Sequence, residues 1–439
     1  MRKKEFQMMY KKMRKPLTIF FSVILLLLSP LSSLAATSDI PFDSLAQAAI
    51  AIDADSGQIF YEKNSQEPLP IASMTKLISF YLILEAIHNG ELSWDETMTI
   101  NEHLYELSHN TELSNVFLTQ NHHYTIEDLF DAAEKVSANA AIIALSERVA
   151  GSEVAFVDKM REKVEEWGIH DAYLISTSGI NNEDARGQIY PGSGPNEENL
   201  MSARDMALVI YHLIHDFPEI LDDTSQPTAL FAEGTPEEVV LESTNAMLPG
   251  MAFETPGVQG LKTGTTELAG TNFAGLISRD QRRVITVVMH VEEYDEDTGK
   301  RFEETQNLMN YALEDWEQRP IVEPDAIYQE ATTDYGTKPK VTLHYQKGPV
   351  YWLPKNQSVQ TEFVPDEHKW TKNNTLKMPV QQSEVVGHAV IKLPGTAKET
   401  LFDQIESVSI PIYAGETIES LPFLQKIVKK TQVFFQRLF

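Results

Sequence analysis

The chain has 439 residues, of which 42% are apolar and 23% charged, and it contains no cysteine. That length allows two or three domains and a core that needs no disulfide or metal staple, and the missing thiols exclude cysteine nucleophiles, thiolate-bound zinc and iron–sulfur clusters. Formal net charge is −28, from 36 Lys+Arg against 64 Asp+Glu, which excludes a polyanion such as nucleic acid as partner.

The basic residues gather at the two ends. Residues 1–36 hold seven of them and one acid, so without that segment the balance is 29 against 63, or −34. Arg2, Lys3, Lys4, Lys11, Lys12, Arg14 and Lys15 precede an apolar run from Leu17 to Leu28, followed by Ser33-Leu34-Ala35-Ala36. A charged start, a short apolar stretch and small residues at a cleavage point make a secretory signal. The apolar run is too short for a comfortable membrane span of roughly 20 residues. The mature chain is expected to begin at Ala36 or Thr37, outside the cytoplasm.

Ala48 to Glu62 reads as a hairpin, with Asp-Ala-Asp-Ser-Gly between two β-prone runs. Helical patterns dominate from Ser73 to about His215. Strand character returns near Gly260 and again from Arg283 to Val291. Phe302, Met309, Leu313 and Trp316 then repeat at helical spacing, closing the first domain. Strand-rich ends around a helical middle predict an α/β domain with a helical insert. Beyond Pro320 and Pro324, short alternating runs at Val341–Tyr345, Val350–Leu353, Val385–Leu393 and Val408–Tyr413 predict a small all-β domain. The acidic stretch from Glu292 to Glu304 reads as a solvated loop, and His122-His123 as a loop pair with no metal.

The helix predicted after Ile71 is apolar on nearly every side, from Met74 through Leu84, and should be buried. Ser73 is a natural residue to start it, and Lys76 stands three residues on, on the same face. Lys76 is the only charged residue before Glu85. A free lysine has a pKa near 10.4, so at neutral pH only about one in 10³ is a base. Burial and a second nearby cation lower that value, at a cost of about 4 kcal/mol for three units. A serine beside such an amine becomes a nucleophile.

Two further motifs follow in order: Ser137-Ala138-Asn139, and Lys262-Thr263-Gly264 ahead of Thr265. Together with Ser73-x-x-Lys76 they resemble the motif set of penicillin-binding proteins and serine β-lactamases. Pro70-Ile-Ala-Ser-Met-Thr-Lys, Tyr124-Thr-Ile-Glu-Asp-Leu-Phe and Ala203-Arg-Asp-Met-Ala-Leu are more specifically similar to low-molecular-mass D-alanyl-D-alanine carboxypeptidases. The resemblance runs from about Ala48 to Trp316, and Ser-Gly-Ile at 178–180 departs from it.

The resemblance implies an α/β penicillin-binding domain of the β-lactamase/transpeptidase type, with an antiparallel sheet and a helical subdomain. A small all-β domain and a C-terminal amphipathic helix would follow. The expected boundaries are 1–36 for the signal, 37–318 for the catalytic domain, 319–418 for the β domain and 419–439 for the helix. The implied substrate is a peptidoglycan stem peptide ending in D-Ala-D-Ala, and β-lactams would acylate the same serine. No cofactor or metal is implied.

In this scheme Ser73 attacks, Lys76 is the general base, and Ser137 relays a proton to the leaving amine. Asn139 orients Lys76 and the substrate amide. Lys262 adds a second positive charge, while Thr263 and Thr265 bind the terminal carboxylate. Gly264 lets the substrate backbone approach the strand, and the backbone N–H groups of Ser73 and Thr265 form the oxyanion hole. A class A β-lactamase would end near residue 300 and carry Glu-x-x-x-Asn soon after Ser-x-Asn, whereas Glu197-Glu198-Asn199 comes about 60 residues later with other spacing. A non-catalytic wall-binding protein would not need all three motifs.

The last 19 residues pair apolar side chains (Phe423-Leu424, Ile427-Val428, Phe434-Phe435, Leu438-Phe439) with Lys426, Lys429, Lys430 and Arg437, and contain no acid. That is the pattern of an interfacial membrane helix, too polar to span a bilayer. It predicts attachment to the outer face of the cytoplasmic membrane.

Overall fold

Alternation of small and β-branched residues forms β1 (Ala46–Asp53) and β2 (Ile59–Lys63), and the turn between them is closed by Asp53, whose Oδ2 accepts from Ser56 N at 2.9 Å and Ser56 Oγ at 2.6 Å. The computed structural model describes residues 42–186, 190–291 and 299–438, so the expected signal at 1–36 lies outside the described residues. Three later strands, β3 (Val258–Thr266), β4 (Gly270–Arg279) and β5 (Arg282–Val291), join the hairpin. All neighbours are antiparallel, in the order β2-β1-β5-β4-β3. The first strand therefore pairs with the last, from Ala46 opposite Val291 to Asp53 opposite Val284. The strand carrying Lys262-Thr263-Gly264 is left at an edge, where its outer backbone groups can take a peptide.

The helical middle holds α1 (Lys76–His88), α2 (Ile126–Lys135), α3 (Asn139–Ala150), α4 (Glu153–Glu166) and α5 (Ala203–Asp216), and α6 (Lys300–Glu314) follows the sheet. As the sequence predicts, α1 is buried almost all round, with only Glu85, Ile87 and His88 outside its buried set. The alanines of Asn-Ala-Ala-Ile-Ile-Ala let α3 pack closely against α1, α2 and α4 at once, with its isoleucines buried. Helices α5 and α6 both pack on β5. A capping box between Thr125 and Asp128 fixes the start of α2, and so sets where its last turn delivers Ser137.

Three expectations change. Ser73 does not cap a helix: it lies in a 3-10 turn, Ala72–Thr75, and α1 begins at Lys76 with no side-chain cap. Trp316 does not end α6 but opens β6 (Trp316–Pro320), buried with its ring 5.0 Å from that of Phe60. The end of the Glu292–Glu304 stretch is not a solvated loop: Arg301 and Glu304 belong to α6, and the buried Glu304 accepts from Ser44 Oγ at 2.9 Å and Leu45 N at 2.8 Å. A carboxylate with two short donors tolerates that burial.

The C-terminal part is all-β before its final helix. Besides β6 it holds β7 (Ile327–Asp334), β8 (Lys340–Tyr345), β9 (Val350–Pro354), β10 (Gln360–Pro365), β11 (Leu376–Lys377), β12 (Val385–Lys392) and β13 (Ser407–Ala414). Six of these form a sheet in the order β10-β12-β13-β8-β7-β11, while β6 pairs with β9. The expected boundary at 318–319 falls inside β6, and Ser44–Phe439 forms one compact unit. Helix α7 (Phe423–Leu438) ends the chain.

Candidate active site

The site is built where the turn before α1, the bend between α2 and α3, and the edge strand β3 converge. Lys76 is fully buried, and its Nζ lies 2.9 Å from Ser73 Oγ, 2.8 Å from Asn139 Oδ1 and 2.8 Å from the Ser178 carbonyl oxygen. Burial holds the Lys76 amine well below its usual pKa, and the charge of Lys262 pushes it the same way. Two of its three neighbours are carbonyl oxygens, which can only accept. An uncharged amine has two hydrogens, one for each. Its lone pair is then left for the one partner that can donate, the Ser73 hydroxyl.

Asn139 is held so that its oxygen faces Lys76: its Nδ2 donates to the Ser114 carbonyl at 3.0 Å, and its backbone N–H donates to the same oxygen at 2.9 Å. Ser137 occupies the bend between the helices with φ +59°, a left-handed conformation that costs a non-glycine residue about 1–2 kcal/mol. Its buried Oγ has no hydrogen-bond partner among the described residues. Ala72, next to Ser73, is also left-handed at φ +47°.

Lys262 is buried too, and its Nζ makes a long 3.4 Å contact to the Thr263 carbonyl. Burial lowers its pKa to about 8, the buried carboxylate of Glu134 acting against that and Arg301 with it. Gly264 is required by a close approach within the protein, since a Cβ there would stand 2.7 Å from the Ile71 carbonyl oxygen. Thr263 and Thr265 share a strand face. The Thr265 hydroxyl accepts from Arg301 Nη1 at 2.7 Å, and the same nitrogen donates to the Gly264 carbonyl at 3.2 Å. Burial pushes that guanidinium down to about 10.

Sequence reasoning missed several residues. Ser178 acts through its backbone carbonyl, which no side-chain motif reports. Gly179 has φ +88°, and a Cβ there would lie 1.9 Å from the Ala72 carbonyl oxygen. Asn199, noted only for its spacing, is a fully engaged buried side chain. It accepts from Ile175 N at 2.6 Å and Ser176 N at 3.1 Å, and donates to Thr75 Oγ1 at 2.9 Å and the Ser176 carbonyl at 2.8 Å. It thus ties the Ser178 segment to the turn that carries Ser73. Arg301 sat within the acidic stretch, and its burial against β3 was hidden there.

A cleft of about 640 Å³ opens over Ser73, bordered by Asn139, Gly179, Thr265 and Leu268 and by the carboxylates of Glu112, Glu183, Asp184, Glu198 and Glu267. Glu198 is the buried one, accepting from Thr266 Oγ1 at 2.7 Å, and burial raises its pKa.

A hydroxyl hydrogen-bonded to a desolvated amine, half-buried at the floor of a cleft beside a free strand edge, defines a serine acyl-transfer hydrolase. Residues 35–293, more than half of the chain, match the D-alanyl-D-alanine carboxypeptidase family model, peptidase S11, and the chain belongs to that family of serine carboxypeptidases. The D-alanyl-D-alanine carboxypeptidase DacF of Bacillus subtilis is 26% identical over 350 residues, covering 80% of this chain and 82% of the relative. DacC of Escherichia coli is 27% identical over 385 residues, covering 86% and 88%. Among solved structures, a peptidoglycan synthesis regulatory factor (PBP3) from Streptococcus pneumoniae is 37% identical with a TM-score of 0.64, covering 86% of this chain and 100% of the other. Penicillin-binding protein D2 of Listeria monocytogenes in its ampicillin-bound form is 31% identical with a TM-score of 0.51, covering 62% and 98%. The α/β penicillin-binding fold expected from the motifs is therefore present.

Gly179→Ala should push the Ser178 carbonyl off Lys76 and slow acylation by penicillin about 10²-fold, the cost of a roughly 1 Å displacement at a reacting group. Labelling at the wild-type rate in stopped-flow or gel assays would refute the role of this carbonyl.

Proposed function

We propose that the protein removes the terminal D-alanine from peptidoglycan pentapeptides through an acyl-enzyme on Ser73, and that β-lactams block it by acylating the same oxygen. The observation that carries this reading is the buried Lys76 amine, 2.9 Å from Ser73 Oγ with both of its other contacts to carbonyl oxygens.

Neutral Lys76 takes the Ser73 proton as Oγ bonds to the carbonyl carbon between the two D-alanines. Backbone N–H groups of Ser73 and Thr265 hold the oxyanion. The carbon–nitrogen bond then breaks, and the leaving amine receives a proton from the Ser137 hydroxyl, replenished from Lys76. The orphaned Ser137 Oγ and its left-handed backbone fit a group kept for a substrate rather than for the fold. Asn139 keeps Lys76 aimed and meets the substrate amide. The departing residue carries a carboxylate, which the Lys262 charge and the Thr263 and Thr265 hydroxyls suit. Water, deprotonated by Lys76, then cleaves the ester and restores Ser73.

Ser73→Ala should lose both covalent penicillin labelling and D-alanine release, by at least about 10³-fold. Peptide mapping by mass spectrometry should place the wild-type adduct on the Ser73 peptide. An adduct elsewhere overturns the reading.

We also propose that the mature protein is secreted and held on the outer face of the membrane by α7. That helix exposes Phe423 and Leu424 at 76% each, with Val428 and Phe435 at 57% and 55%, beside Lys426, Lys429 and Lys430. Among the described residues no helix is long and apolar enough to cross a membrane. A body as acidic as this one is repelled by anionic lipid, and the cations of α7 offset that locally. Deleting residues 420–439 should move the mature protein from the membrane to the soluble fraction. A truncated form that still sediments with membranes would contradict the anchor.

A further inference from the structure

One buried carboxylate at the cleft has no part in the scheme above. Glu198 is only 5% exposed, yet it borders the cleft that opens over Ser73. Its Oε2 accepts from Thr266 Oγ1 at 2.7 Å, and that hydroxyl in turn accepts from Ala269 N at 2.9 Å, so its one hydrogen is committed to Glu198. The other oxygen, Oε1, has no hydrogen-bond partner among the described residues. The adjoining Asn199 anchors the segment: beyond the bonds of its side chain, its carbonyl accepts from Ile71 N at 3.0 Å. Glu198 is thus fixed between the turn that carries Ser73 and the end of β3, with one carboxylate oxygen left over. Burial opposes ionisation of this group, and the charge of Asp184 opposes it further.

From this placement we infer that Glu198 is a specificity-determining residue, which takes the ammonium of a cationic side chain on the residue preceding the two D-alanines. The inference rests on the carboxypeptidase reading and deepens it. In that reading the scissile carbonyl lies at the Thr265 N–H and the departing residue at Lys262 and Thr263. The retained part of the peptide then runs the other way, past Thr266. An extended chain on a strand edge advances about 3.3 Å per residue, which brings the preceding residue level with Thr266 and its carboxylate partner. An ammonium has three donors and no acceptor, the complement of an oxygen that can only accept. Its charge suits the rest of the wall too: Glu112, Glu183, Asp184 and Glu267 border the same cleft, and among the described residues no lysine or arginine does. An acylated amine offers one neutral N–H in place of three charged ones, and adds a carbonyl oxygen that these acids repel.

The test measures D-alanine release by the mature protein from Nα-acetyl-L-Lys-D-Ala-D-Ala and from the same peptide with its side-chain amine acetylated. The wild type should prefer the free amine about tenfold in kcat/KM, the scale of one charge-assisted hydrogen bond. Glu198→Gln keeps an acceptor for Thr266 but puts an N–H donor where the free oxygen stood. It should remove most of the preference, and the loss should fall on the free-amine peptide. Glu198→Asp, which keeps the charge, should retain part of it. Each ratio is read on one preparation, so any loss of folded protein cancels. If the wild type cleaves both peptides equally, or if Glu198→Gln keeps the preference or slows both alike, the inference is overturned while D-alanine release upholds the carboxypeptidase reading. Failure to release D-alanine from either peptide overturns that reading, and the inference with it.

Discussion

Everything at this site depends on taking one amine out of water. Three oxygens meet Lys76 Nζ within 2.9 Å, none of them a carboxylate. A carboxylate partner would hold the proton on the amine; burial among neutral dipoles releases it. The cost of stripping an ammonium of water is borne by the rest of the domain, through a helix buried on nearly all sides and a hydrophobic cluster that includes Met74, Leu77, Ile78 and Phe80. Lys262 contributes through its charge, which acts over distance.

Position matters as much as charge. The three oxygens come from a 3-10 turn, the first residue of α3 and a loop, elements that share no local sequence. They are held by contacts specific to this packing: Asn199 bridging Thr75 and Ser176, Asn139 anchored twice to the Ser114 carbonyl, and Gly179 and Gly264 leaving room for the Ala72 and Ile71 carbonyls. Ala72 and Ser137 both carry left-handed backbone beside reactive side chains. Strain of this kind persists only where surrounding structure fixes it, and two of the left-handed non-glycine residues fall in the segments that present Ser73 and Ser137.

What could be read from the sequence follows from range. The strands at Ala46–Asp53 and Arg282–Val291, the buried helix after Lys76 and the all-β texture beyond Trp316 are periodic and local, so they were legible. The types and spacing of Ser73, Lys76, Ser137, Asn139 and Lys262 could also be read, and the structure places Ser73 and Asn139 against Lys76 and Lys262 within its electrostatic reach, while Ser137 Oγ makes no such contact. The Ser178 carbonyl was not legible, since a backbone oxygen leaves no mark on residue type. Arg301 was masked by a charged neighbourhood in which burial cannot be seen. Ser73 failed as a predicted helix cap because its hydroxyl is engaged by Lys76, which leaves the turn to close on backbone bonds alone. Gly264 was expected to serve the substrate, and the structure shows it allowing the approach of β3 to the turn that carries Ser73.

The central claim is that Lys76 is an uncharged amine in the resting enzyme at neutral pH. Its most direct test is carbon-13 NMR of lysine-labelled protein, with the Lys76 Cε resonance assigned by its loss in Lys76→Met and followed across pH without ligand. The account predicts that this resonance has the chemical shift of a neutral amine at pH 7 and titrates, if at all within the folded range, well below the other lysines. A resonance that stays in the ammonium position up to the ordinary lysine pKa near 10.4 would contradict it.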